Sequence, residues 1–147
     1  MKKLLIYIVV LPFLLTLHGC DLNDDDGVDY YFEALEVVSA DFPESFEFGK
    51  IYRIDVTMLR PSTCHYFEGF DFSRTGDTNT ERTIYPISSV VERTNCEELP
   101  EETITSFFDF EVLFTDTYVF KLYSGTDTSG EDQFIVYEVP VVNPQTN

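Results

Sequence analysis

The chain has 147 residues, a formal net charge of −18, and 16% aromatic residues with no tryptophan. That length supports one domain, and the aromatic content is too high for a disordered acidic chain. Two of the nine basic residues, Lys2 and Lys3, stand at the N-terminus, leaving 27 acids against seven bases over the remainder. Such a surface repels phosphate backbones and excludes nucleic acid as a partner.

The first element is the apolar run 4–17, which is 14 residues long and interrupted by Pro12. A bilayer-crossing helix needs about 20 such residues, and no basic stop-transfer cluster follows. The next residues, "LHGC" at 17–20, resemble the bacterial lipobox: Leu17 lies three before the cysteine and the small Gly19 precedes it. His18 departs from the motif, which usually has a small residue there. The resemblance implies a signal peptide over 1–19, cleavage before Cys20, diacylation of its thiol and acylation of the new amine. Three acyl chains exceed what stable membrane anchoring requires.

Residues 20–29, "CDLNDDDGVD", read as a lipidated cysteine on a self-repelling acidic tether. The run Asp24, Asp25 and Asp26 resembles the acidic signal of surface-exposed lipoproteins in Bacteroidota. Asp21 resembles instead the inner-membrane retention signal of enterobacterial lipoproteins. The longer acidic run favours the outer membrane, surface-exposed, with the periplasmic face as the alternative. The same stretch puts Asp24, Asp26, Gly27 and Glu33 at EF-hand-like positions. Leu22 occupies the first ligand position, however, and no helix pattern precedes it, so the tether reading stands.

From here the pattern has period two, the mark of half-buried strands. Candidate runs are "FEALEVVSA" (32–40), "IYRIDVTML" (51–59), "CHYFEGFDF" (64–72), "RTIYPISSVV" (82–91), "FFDFEVLF" (107–114), "TYVFKLYSG" (117–125) and "QFIVYEVPVV" (133–142). Tyr52, Ile54, Val56 and Met58 share one face of the second run. Phe108, Phe110, Val112 and Phe114 share one face of the fifth, and Tyr118, Phe120 and Leu122 one face of the sixth. Pro86 and Pro140 cannot donate to a ladder, so their strands are expected at edges or with bulges. Turn residues at 48–50, 60–62, 75–79, 114–117 and 124–132 separate the runs.

Seven short strands over residues 30–142 predict an all-β, antiparallel, two-sheet sandwich, with 143–147 as a flexible tail. "DTYVF" (116–120) resembles the tyrosine corner of immunoglobulin-like sandwiches, with Phe120 where antibody domains carry a cysteine. With Cys20 lipidated, Cys64 and Cys96 remain as an even pair in an oxidising compartment. Their bridge would close a loop of about 33 residues and contribute roughly 3–4 kcal/mol. It is expected to pin a central strand or its loop to the segment after the fourth run.

Catalytic chemistry is sparse. Beyond the signal segment the chain has one histidine, His65, alternating with Cys64 and Tyr66 and therefore expected to face solvent or a loop. No G-x-S-x-G, H-E-x-x-H or glycine-rich phosphate loop occurs. No catalytic residue is assigned and an enzyme is not expected. For metals, "GTDTSGED" offers Asp127, Ser129, Glu131 and Asp132 as oxygen ligands of a Ca²⁺ loop. Phe67, Phe70, Phe72 and Tyr85 are read as core, with an exposed ligand patch as the alternative.

As a whole the chain resembles small uncharacterised lipoproteins of Bacteroidota, flavobacteria in particular. The resemblance is specific over 1–26 and general beyond. It implies an envelope protein anchored to the membrane by lipid. The function expected is a non-catalytic binding or scaffolding module with a protein or glycan partner. The alternative is a Ca²⁺- or glycan-binding accessory to a transport or secreted-enzyme system.

Overall fold

Strand formation follows the period-two pattern closely. The computed structural model describes residues 28–142, so the expected signal peptide, Cys20, nearly all of the tether and the tail 143–147 lie outside the described residues. Among the described residues there are ten strands and no helix. They are β1 (Tyr30–Ala34), β2 (Val37–Ala40), β3 (Phe46–Glu47), β4 (Ile51–Leu59) and β5 (His65–Arg74), followed by β6 (Glu81–Val91), β7 (Thr103–Glu111), β8 (Tyr118–Thr126), β9 (Asp132–Val139) and β10 (Val141–Val142).

The seven expected runs become ten strands for local reasons. The first run breaks at Leu35–Glu36 because the chain crosses there from one sheet to the other: β1 pairs with β6, whereas β2 pairs with β4. The last run breaks at Pro140, which has no N–H and whose carbonyl instead accepts the Phe46 N–H at 2.9 Å. That bond places β3 beside β10, a two-residue strand that no periodicity announces.

The larger sheet contains β1, β5, β6, β8 and β9, and the smaller one has the order β2-β4-β7. Not every pairing is antiparallel as expected. β6 and β8 run parallel, from Glu81↔Val119 to Ile84↔Leu122, and so do β3 and β10. Between β6 and β8 the chain visits the other sheet as β7, and such a crossover lets a strand return in the same direction. The fold is therefore all-β and sandwich-like, with a mixed larger sheet.

Pro86 corrects the edge half of its expectation, because its strand lies at the centre of the sheet; the bulge half holds nearby, where the β5–β6 ladder shifts register between Phe67 and Gly69. β5 follows β6 along its whole length, and on the opposite side β8 pairs at 81–84 and β1 at 87–91. Pro86 stands in the gap where the partner changes. Its carbonyl accepts the Leu35 N–H at 2.8 Å. In a strand the nitrogen and carbonyl of one residue point the same way, so the missing donor falls in that gap and costs no ladder bond.

The core forms between the two sheets as the alternation predicts. Ile54, Val56 and Met58 of β4 meet Tyr118, Phe120 and Leu122 of β8, all with no solvent exposure. Phe46 packs at the centre of an aromatic cluster, with ring centroids 4.8 Å from Tyr52, 5.6 Å from Phe110 and 6.0 Å from both Tyr118 and Phe120. Burying one such ring stabilises the fold by about 1.5–3 kcal/mol. Phe67 and Phe70 also turn inward, and Phe70 and Phe72 pack edge-on against Phe108.

Candidate functional site

The turn between β4 and β5 is fixed from several directions. Ser62 pairs with Glu98 in an isolated antiparallel bridge, with Leu99 N–H donating to the Pro61 carbonyl at 2.8 Å and Thr63 N–H to the Glu97 carbonyl at 3.0 Å. The Ser62 Oγ accepts the Cys64 N–H at 3.2 Å, the side-chain bond that serine commonly supplies to a turn. Arg60 donates to the carbonyls of Thr63 and His65 and ion-pairs with Glu102 at 3.0 Å. A disulfide joins Cys64 to Cys96, with Cα atoms 5.5 Å apart, and pins this turn to the loop after β6, the fourth run, as expected.

His65 does not face solvent. It pairs with Val90 on the inner face of β6 and is only 9% exposed. Its Nδ1 lies 2.8 Å from the Ser62 Oγ and its Nε2 2.7 Å from Oε1 of Glu33, which also points inward from β1. An ionised carboxylate only accepts, so a ring proton sits on Nε2, and in the neutral ring Nδ1 accepts the serine hydroxyl proton. Alternation around a disulfide cysteine gave the wrong face because the strand begins at His65 itself, and the turn before it sets the side-chain direction. The Ser62–His65 spacing was readable in the sequence. Glu33, 32 residues upstream, carries no spacing signal.

These three side chains line a cleft of about 710 Å³. Leu59, Leu99 and Pro100 give it an apolar wall, with Glu36 and Tyr123 at other points of its lining. Ser62 and His65 also line a second hollow of about 560 Å³ on the disulfide side.

The outer face of the larger sheet is a second surface, which adjoins the cleft at Tyr123. Tyr30 and Phe32 are each 61% exposed and meet edge-on at 5.5 Å. Phe32 and Tyr66 flank Ser89 in register, placing all three on the same face. Four residues along β6, about 13 Å away at 3.3 Å per residue, Tyr85 lies 5.3 Å from Tyr123 and 5.8 Å from Phe134. Hollows of about 340 and 540 Å³ accompany the two aromatic groups. Polar groups stand among the rings: Ser89 donates to Glu68, and the Tyr85 hydroxyl donates to Asp132 at 2.9 Å. Burial first, and Asp132 second, raise the Tyr85 pKa above its ordinary value. Of the four aromatics considered for an exposed patch, only Tyr85 belongs to this face; the three phenylalanines point towards the other sheet.

The expected Ca²⁺ ligands share the β8–β9 hairpin but do not converge. Asp127 Oδ1 accepts the Ser129 and Glu131 N–H groups at 2.8 and 3.0 Å, and its Oδ2 accepts from Gln133. Asp132 is turned to Tyr85. Among the described residues no three His, Cys, Asp or Glu side chains gather into a group that could hold a metal ion. Of the EF-hand-like set, Glu33 is bonded to His65, and Asp24, Asp26 and Gly27 lie outside the described residues. No protein-family model, curated protein or solved structure matches the chain.

Proposed function

We propose that this chain is a lipid-anchored envelope protein that binds a neutral glycan on the outer face of its larger sheet. The observation that carries the reading is the exposed ring pair Tyr30–Phe32, sharing one face with Tyr66, Tyr85, Tyr123 and Phe134. Monomeric proteins rarely leave apolar surface of this kind unpartnered. The centre of a protein–protein interface is depleted of charged residues. Here Glu68 and Ser89 stand between the rings, a pattern suited to a polymer that alternates apolar ring faces with hydroxyl edges. The net charge of −18 disfavours polyanionic ligands.

The lipobox-like "LHGC" and the acidic residues after it support anchoring through Cys20 and display at the outer membrane. Growth with an alkyne-tagged fatty acid should label the full chain, and Cys20→Ala should abolish the label. Shaving intact cells with protease should remove the domain; protection until the outer membrane is broken would place it on the periplasmic face. For the ligand, the purified full chain is passed through gels containing a β-glucan or an α-mannan. Retardation that Tyr30→Ala/Phe32→Ala removes supports the reading. No retardation by either polysaccharide, together with capture of a protein partner through the same face, would replace it.

A further inference from the structure

We propose that Ser62 is a nucleophile for acyl transfer from neutral esters, with His65 as its base and Glu33 positioning the imidazole. None of these three residues belongs to the aromatic face, although Tyr123 borders both sites, and either proposal can fail without the other. The two contacts, 2.8 Å from Ser62 Oγ to Nδ1 and 2.7 Å from Nε2 to Glu33, place a nucleophile, a base and an orienting carboxylate in one chain of hydrogen bonds. Serine hydrolases usually take the serine proton on Nε2 and hold Nδ1. The ring is used here in the opposite sense with the same logic.

Position adds to the geometry. Ser62 lines both hollows, so a carbonyl presented to its Oγ has space on two sides. The wall of Leu59, Leu99 and Pro100 suits a short apolar acyl group. Glu33, Glu36 and Glu98 in the same lining disfavour anionic substrates. The Cys64 N–H, already aimed at Oγ, stabilises negative charge there as the proton leaves.

The step balances without a co-reactant other than water. The Ser62 Oγ forms a bond to the ester carbonyl carbon while its proton passes to Nδ1, and Glu33 faces the resulting imidazolium. The tetrahedral adduct collapses, the bond to the leaving oxygen breaks, and His65 returns the proton to that oxygen. Water then repeats the sequence on the acyl-serine and restores the hydroxyl.

The test treats the full chain in mild detergent with a fluorophosphonate probe and maps adducts by peptide mass spectrometry. The expected result is an adduct on Ser62 that is lost after heat unfolding, with slow turnover of p-nitrophenyl butyrate. His65→Gln and Glu33→Gln should each slow labelling at least tenfold at a temperature where circular dichroism shows them folded. A merely structural network would lower their melting temperatures without changing the labelling rate. Mapping the unmodified sequence needs no variant: absence of a Ser62 adduct, or equal labelling of other serines, overturns the proposal.

Discussion

The Tyr118 hydroxyl accepts the backbone N–H of Leu113 at 3.1 Å and that of Phe114 at 3.0 Å, closing the β7–β8 loop onto a fully buried ring. A tyrosine corner has this kind of bond, so the likeness of "DTYVF" extends to its hydroxyl, on a sheet whose strand directions differ from an antiparallel sandwich. Tyr118→Phe keeps the ring and removes the acceptor. It should lower unfolding stability by about 1–2 kcal/mol, seen as a shift in urea midpoint with unchanged slope. A wild-type midpoint would mean that the loop closes without this bond.

The Cys64–Cys96 bridge makes a second prediction. Replacing both cysteines by serine should lower stability by about 3–4 kcal/mol, from the loop length of the unfolded chain. Chemical denaturation of the double variant beside the oxidised protein measures the difference.

Glu81 ties the parallel strands together by accepting from Lys121 on β8, and Thr75 also donates to it. The Lys121 bond first, then Thr75, holds its pKa below the ordinary carboxylate value. A depressed native pKa gives stability that is present above about pH 4.5 and is lost as pH falls through the native value. Glu81→Gln should therefore melt below the wild type at neutral pH, and the two curves should converge in acid. A gap that stays constant with pH would contradict this assignment.

The β8–β9 hairpin tests the metal reading. Because Asp127 caps its own turn and Asp132 bonds Tyr85, millimolar Ca²⁺ should leave the melting temperature unchanged. Asp127→Ala should lower it, by about 1 kcal/mol of lost turn bonding. A clear rise with Ca²⁺ would restore the loop as a cation site.

Much of the architecture was legible, because strand faces depend on local alternation. The run 51–59 is β4 from end to end, and Ile54, Val56 and Met58 are buried together. What the sequence concealed depends on distant partners. Phe46 belongs to a two-residue strand that exists only because β10 and Pro140 lie beside it. Pro86 is tolerated centrally because β1 and β8 divide one edge of β6 between them. The same limit hid both candidate surfaces. Glu33 reaches His65 from another strand, and the outer aromatic face is assembled from five strands, each contributing one or two rings.

The central claim is that this outer face is the binding surface, and calorimetric titration of neutral oligosaccharides of increasing length into the full chain tests it most directly. We expect affinity to rise until the ligand reaches both aromatic groups, whose rows at Ser89 and Tyr85 lie roughly 13 Å apart along β6. Tyr30→Ala/Phe32→Ala should weaken long ligands at least tenfold and remove the length dependence, while Phe107→Ala, an exposed ring on the other sheet, should change nothing. Equal affinities in the wild type and both variants, or no binding at any length, would contradict the account.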